Sequence, residues 1–227
     1  MGVKLGLISD VHANAVALRA VLSELKARGI ERILCAGDIV GYYPYPNETV
    51  ALLRENRSVC VLGNHDRSVL KVDTSGMNPH AHHAVLWTAR HLEADTRRYL
   101  ENLPVSTTVR SDRLAVTIYH GSPRDMVDYV YEDDADESLL SMARSPVLIL
   151  GHTHIPFVRR FAQGMIVNPG SVGQPRDGDP RAAYAILDTS VGLVDFYRVS
   201  YDIEAVASRT REEGLPRMLS DRLFYGR

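Results

Sequence analysis

Between Val3 and Leu62 the chain alternates two kinds of segment, and this alternation restricts the folds open to it more than any other feature. Val3 to Ile8, Arg32 to Ala36 and Val59 to Leu62, the last rich in β-branched residues, are short apolar runs that read as strands. Between the first two, Leu18, Val21, Leu22 and Leu25 recur at helical spacing ahead of Gly29. Between the second and third, Asn47 can cap a helix that runs to about Glu55. A β-α-β-α-β order requires crossover connections, so these strands are expected side by side in a mostly parallel sheet.

The middle of the chain departs from this rhythm. Pro79 opens a long helical stretch with Ala84, Trp87, Leu92 and Leu100 before the breaker Pro104, which reads as a helical insertion at about 77–103. Short strands come after it at Leu114 to Tyr119, Val147 to Leu150, Phe157 to Phe161, Met165 to Val167, Ala183 to Leu187 and Val194 to Val199, with a helix between Asp136 and Arg144. Turn-rich joints such as Pro169-Gly170 and Asp177-Gly178-Asp179-Pro180 point to antiparallel pairing of the late strands in a second sheet. At 227 residues the expectation is one domain, 1–227, with a charged and weakly patterned stretch at about 209–227 as a loose tail or an arm on a neighbour.

Charge narrows the partners. Lys and Arg total 26 against 28 for Asp and Glu, so the basic excess that would hold duplex nucleic acid by its backbone is missing. Cys35 and Cys60 sit inside apolar runs and read as small buried hydrophobes rather than thiolate ligands. No apolar run approaches the length needed to cross a bilayer, and the expected location is the cytoplasm, without a membrane partner.

The residues just past each strand carry the chemistry. Asp10 and His12 close the first, Gly37-Asp38 the second, Gly63-Asn64-His65-Asp66 the third, His120-Gly121 the run from Leu114, and Gly151-His152-Thr153-His154 the run from Val147. In open α/β sheets ligands bind beyond the carboxyl ends of the strands, so loops far apart in sequence would meet at one place. Residues two apart in extended backbone share a side, which would let Asp10 act with His12, and His152 with His154. Each fragment alone has an ordinary reading as a cap or turn; the ordered set reverses that.

These motifs resemble those of the calcineurin-like metallophosphoesterase superfamily, and Asn168-Pro169-Gly170-Ser171-Val172 is similar to its small bacterial and archaeal phosphodiesterase branch. The resemblance implies an α/β fold of two mixed sheets packed face to face and flanked by helices, a four-layer αββα sandwich. It further implies that Asp10, His12 and His154 hold one metal ion, that Asn64, His120 and His152 hold a second, and that Asp38 bridges both. Manganese or iron is the first expectation, and a thiolate-free set of imidazole, carboxylate and amide also suits zinc or cobalt. Two divalent ions against two carboxylates leave a positive surplus that would favour a bridging hydroxide and a phosphate group.

The expected activity is hydrolysis of small phosphodiester or nucleotide substrates. His65 is expected to act on the leaving oxygen or the phosphate, with Asp66 fixing its tautomer. Tyr42, Tyr43 and Tyr45 could stack on a base or simply pack their loop, while Arg67 and Arg176 are candidate phosphate contacts or surface ion pairs. His80, His82 and His83 read as polar rings at an exposed helix start, with a second metal site or a reach into the centre as alternatives. Protein Ser/Thr phosphatases of this superfamily carry Asp-Arg-Gly after the second motif, whereas this chain runs Gly37-Asp38-Ile39-Val40-Gly41 and lacks that arginine, which argues against protein dephosphorylation. A non-catalytic binding scaffold of the same fold is the alternative from another class, although its sign, loss of ligands or of the motif histidine, is missing here. The sequence leaves the oligomeric state open.

Overall fold

A computed structural model describes residues 3–111 and 114–227. One sheet runs β10-β9-β1-β2-β3. In it β1 (Lys4–Ile8), β2 (Arg32–Cys35) and β3 (Val59–Cys60) are parallel, joined by α1 (Ala15–Ala27) and α2 (Pro46–Glu55). The other sheet runs β4-β5-β6-β8-β7, with β5 (Leu114–Tyr119), β6 (Val147–Ile149) and β8 (Gly164–Asn168) parallel. Antiparallel β4 (Ser106–Ser111) and β7 (Phe157–Phe161) form its two edges. The late strands therefore do not all belong to a second antiparallel sheet. β9 (Ala182–Asp188) returns to pair antiparallel with β1, and β10 (Leu193–Val199) pairs with β9. Turn residues disclose that a strand reverses but not which sheet it rejoins.

Period-two alternation builds the layers. Leu5 and Leu7 of β1, Leu34 of β2 and Ala185 and Leu187 of β9 point inward to meet Val116 and Ile118 of β5, Val147 and Ile149 of β6 and Met165 and Val167 of β8. The alternate residues Ile8, Ile33, Cys35, Cys60, Tyr184 and Ile186 face α1 and α2 in a second cluster. On the far side Leu148, Leu150 and Ile166 pack on Leu139 and Leu140 of α6 (Glu137–Ala143). The result is the two mixed sheets flanked by helices that the resemblance implied. Cys35 and Cys60 are buried and free, as their apolar surroundings indicated.

The helical stretch before Pro104 is two helices, α4 (Pro79–His91) and α5 (Ala94–Glu101), with α3 (Asn64–Lys71) before them. Asn47 does not cap α2, where Tyr45 is the N-cap and Pro46 the first helical residue. Its side chain instead donates to the His91 carbonyl and accepts from Glu93 N–H, stitching α2 to the α4–α5 joint. The charged C-terminal stretch is not a loose tail. It forms the end of α7 (Ile203–Glu212) and α8 (Arg217–Arg222), and Leu215, Leu219 and Leu223 are buried against Tyr42, Tyr43, Ala84 and Trp87. Their apolar side chains are spread across the break at Gly214 and Pro216, which hides the amphipathic pattern. Among the described residues no helix is long and apolar enough to cross a membrane.

Candidate metal centre

The ligand-type residues meet at the carboxyl ends of β1, β2, β3, β5 and β6, although these strands come from both sheets. Alternation along an extended strand is not what aims them. Asp10, His12, Asp38, His152 and His154 all have left-handed backbones, with φ of 51°, 50°, 50°, 66° and 63°. Asp and His tolerate this region better than most residues, and such strain concentrates at sites where the surroundings hold it in place. One consequence is that His152 and His154 do not share a target. His154 joins Asp10 and His12, whereas His152 joins Asp38 and His120.

In the first group, His12 Nε2 lies 3.1 Å from His154 Nε2, and His154 Nε2 lies 3.3 Å from Asp10 Oδ1. His154 Nδ1 donates to the Gln174 carbonyl at 2.6 Å, so the neutral ring directs the lone pair of Nε2 into the centre. In the second, His120 Nδ1 donates to the Ala36 carbonyl at 2.7 Å. His120 Nε2 then faces Asn64 Oδ1 at 2.9 Å, His152 Nδ1 at 3.2 Å and Asp38 Oδ2 at 3.3 Å. The same Asp38 Oδ2 is 3.6 Å from His12 Nε2, which places one carboxylate oxygen between the two groups. Its other oxygen accepts from His65 N–H at 2.8 Å, and the Asp10 carboxylate accepts from His152 N–H.

Buried acceptors thus converge with too few donors, the condition a cation relieves. The charge states agree. Burial pushes His12 well below the usual imidazole range, lowers His154, and brings His65 and His152 down to about 4, so these rings are neutral. Burial opposes a charge on His120 as well, but Asp38 and Asp10 overcome it and raise that ring to about 9. A proton there stands in for the positive charge the carboxylates require. The donor set of imidazole, carboxylate and amide oxygen fits divalent cations.

His65 also enters the centre, within reach of His12 and Asp38. Its ring packs edge-on to His12 and against Tyr42, and its buried Nδ1 has no protein partner. The expected Asp66–His65 contact is not formed. Asp66 is the third residue of α3, and its carboxylate folds back to accept Gly63 N–H at 2.9 Å and Val40 N–H at 2.9 Å, tying the loops after β2 and β3 together. Tyr43 is likewise misplaced as a base-stacking ring, being fully buried and hydrogen-bonded inside the protein. Tyr42 lies against His12 and His65 and joins Arg67, Asn64 and His152 in the wall of a cleft of about 450 Å³. Arg176 is half-buried beside the first group, and its charge contributes to the depression of His12, His65 and His154. His80, His82 and His83 are exposed on α4 and do not reach the centre.

Several supporting residues had no signal in the sequence. Gln174 orients His154, and Tyr129, half exposed in an irregular segment, packs on His152 with ring centroids 4.0 Å apart. The Asn168–Val172 motif was legible, but not its work. Asn168 Nδ2 donates to the Gly151 carbonyl and Thr153 Oγ1, and Ser171 Oγ donates to the Asp10 carbonyl, fastening the two loops of the first group.

The model of the calcineurin-like phosphoesterase superfamily domain matches residues 3–192. The chain belongs to that superfamily. A metallophosphoesterase of Sphaerobacter thermophilus has the same fold with a TM-score of 0.86 and 38% identity, each chain covering 100% of the other. An uncharacterized protein of Methanocaldococcus jannaschii is 36% identical over 98% of both chains. The phosphodiesterase YfcE of Escherichia coli is 24% identical over 83% of this chain and 89% of its own. In this calcineurin-like phosphoesterase the matched region contains every ligand-type residue of the centre and stops short of α7 and α8.

Proposed function

We propose that this protein is a two-metal phosphoesterase acting on small phosphodiester or nucleotide substrates. The observation that carries the reading is the pair of buried acceptor groups sharing Asp38 Oδ2. Asp10, His12 and His154 would hold one divalent ion, Asn64, His120 and His152 the other, and Asp38 would serve both, with manganese or iron first and zinc or cobalt also compatible. When bound, such ions supply an acidified water as nucleophile and positive charge against the phosphoryl oxygens.

The chain's own residues do the rest. The carbonyls of Ala36 and Gln174 take the Nδ1 protons of His120 and His154, which would leave Nε2 of both rings to an ion once it displaces the second proton of His120. Asp66 and Gly63 keep the loops after β2 and β3 in register, so that Asp38 and Asn64 face the same point. His65, kept neutral by burial, would present a ring N–H to a phosphoryl oxygen as negative charge develops there. Arg67, in the wall of the cleft, and Arg176, beside the first group, would meet the outer oxygens of the substrate, and Tyr42 would exclude water from the ligand rings. The whole chain would be one working unit, with α7 and α8 supporting Tyr42 and Tyr43 from behind.

The test is a phosphoester panel on metal-reconstituted protein: an aryl monoester, an aryl diester, cyclic nucleotides and dinucleoside polyphosphates. Metal-dependent turnover of at least one small ester is expected. Failure on every member with both ions bound would favour a binding scaffold instead.

A further inference from the structure

Gln174, buried behind His154, uses every polar group it has. Its carbonyl accepts from His154 Nδ1, and its N–H donates at 2.8 Å to Ser171 Oγ, which in turn donates to the Asp10 carbonyl at 2.7 Å. Its side-chain Nε2 donates to the Tyr43 hydroxyl at 2.9 Å, and Oε1 accepts from Arg176 Nη2 at 3.1 Å. The two ends of an amide are nearly alike in shape, so the neighbours decide which end is oxygen. Tyr43 has one hydroxyl proton, and its other partner, the Leu219 carbonyl at 3.2 Å, can only accept. The Tyr43 oxygen must therefore accept from Gln174. Arg176 can only donate, so it requires the oxygen end. Both neighbours demand the same orientation, and the demand originates in the backbone of α8, outside the matched superfamily region.

We propose that Tyr43 is a positioning residue for substrate phosphate. By holding the Gln174 amide with its oxygen toward Arg176, it fixes the guanidinium that meets the substrate, while its own ring stays out of the cleft. This rests on the reading of Arg176 as a phosphate contact. Without the hydroxyl, the buried Gln174 Nε2 has no acceptor, so the amide loses one of its two tethers and shifts to satisfy that group, and the guanidinium loses its fixed anchor. His154 is held by the Gln174 backbone and not by the amide, so metal binding is left intact.

The test is a double-mutant cycle of Tyr43→Phe and Arg176→Ala on manganese-loaded full-length protein. Tyr43→Phe is expected to raise KM about tenfold, to keep kcat within about twofold, and to weaken competitive inhibition by inorganic phosphate in parallel. Added to Arg176→Ala, it should change KM by less than about twofold, because the group it positions is already gone. A wild-type KM for Tyr43→Phe, or effects that multiply fully in the double variant, would overturn the proposal. Should Tyr43→Phe fold poorly, Gln174→Leu keeps the side-chain volume, removes the same anchor and carries the same expectation. If no ester is turned over, calorimetric binding of inorganic phosphate to the manganese-loaded wild type and Tyr43→Phe decides separately. A loss of about tenfold supports the positioning role, and equal affinities overturn it.

Discussion

A Cβ on Gly63 would stand 2.1 Å from both the backbone nitrogen and Oδ1 of Asp38. No rotamer relieves such a contact, because both objects are fixed in the centre. Gly63→Ala is therefore expected to destabilise the protein by about 3 kcal/mol or more, read by chemical denaturation. The left-handed residues tell the same story from the other side, since Asp and His can adopt the φ that the centre imposes on positions 10, 38, 152 and 154. A variant at His65 would separate chemistry from metal holding. His65→Ala should retain its metals, measured by elemental analysis, while turnover falls by about 10²-fold or more. Wild-type turnover would remove His65 from the reaction.

The helices α7 and α8 show what an element contributes away from the chemistry. Leu219 is fully buried among Tyr42, Tyr43 and Trp87, and Leu219→Ala should cost about 2–5 kcal/mol, checked by urea unfolding. A smaller loss would mean that this pair rests only lightly on the domain. These helices were not legible in the sequence, because charged residues and the Gly214–Pro216 break interrupt their apolar spacing. Helix α3 was hidden for another reason. Asn-His-Asp-Arg-Ser is a poor helical signature, and the helix stands because Asp66 caps its own first turn. By contrast β1, β2, β5 and β6 could be read directly, since each is an apolar run cut off by Gly, Asp or His. The same strand-end residues made the ligand cluster legible. Gln174 and Tyr129 were not, because a lone Gln or Tyr in a turn-rich stretch has no pattern to belong to.

At the scale of the whole molecule, the centre draws together loops from both sheets, so bound cations would act as a clasp on the fold. At a metal concentration near a hundred times Kd, each ion should add about 2.7 kcal/mol. For a chain of this size that raises Tm by roughly 5–10 °C per ion, read by calorimetry with and without chelator. With 26 basic against 28 acidic residues the chain carries no net positive charge, so turnover of small esters should depend only weakly on salt. The shared Asp38 is the heart of the reading, and metal content per chain tests it most directly. After reconstitution and removal of loosely bound ions, the wild type should carry two divalent ions per chain and Asp38→Ala fewer than one; a single ion in the wild type, or two retained without Asp38, would contradict the shared centre.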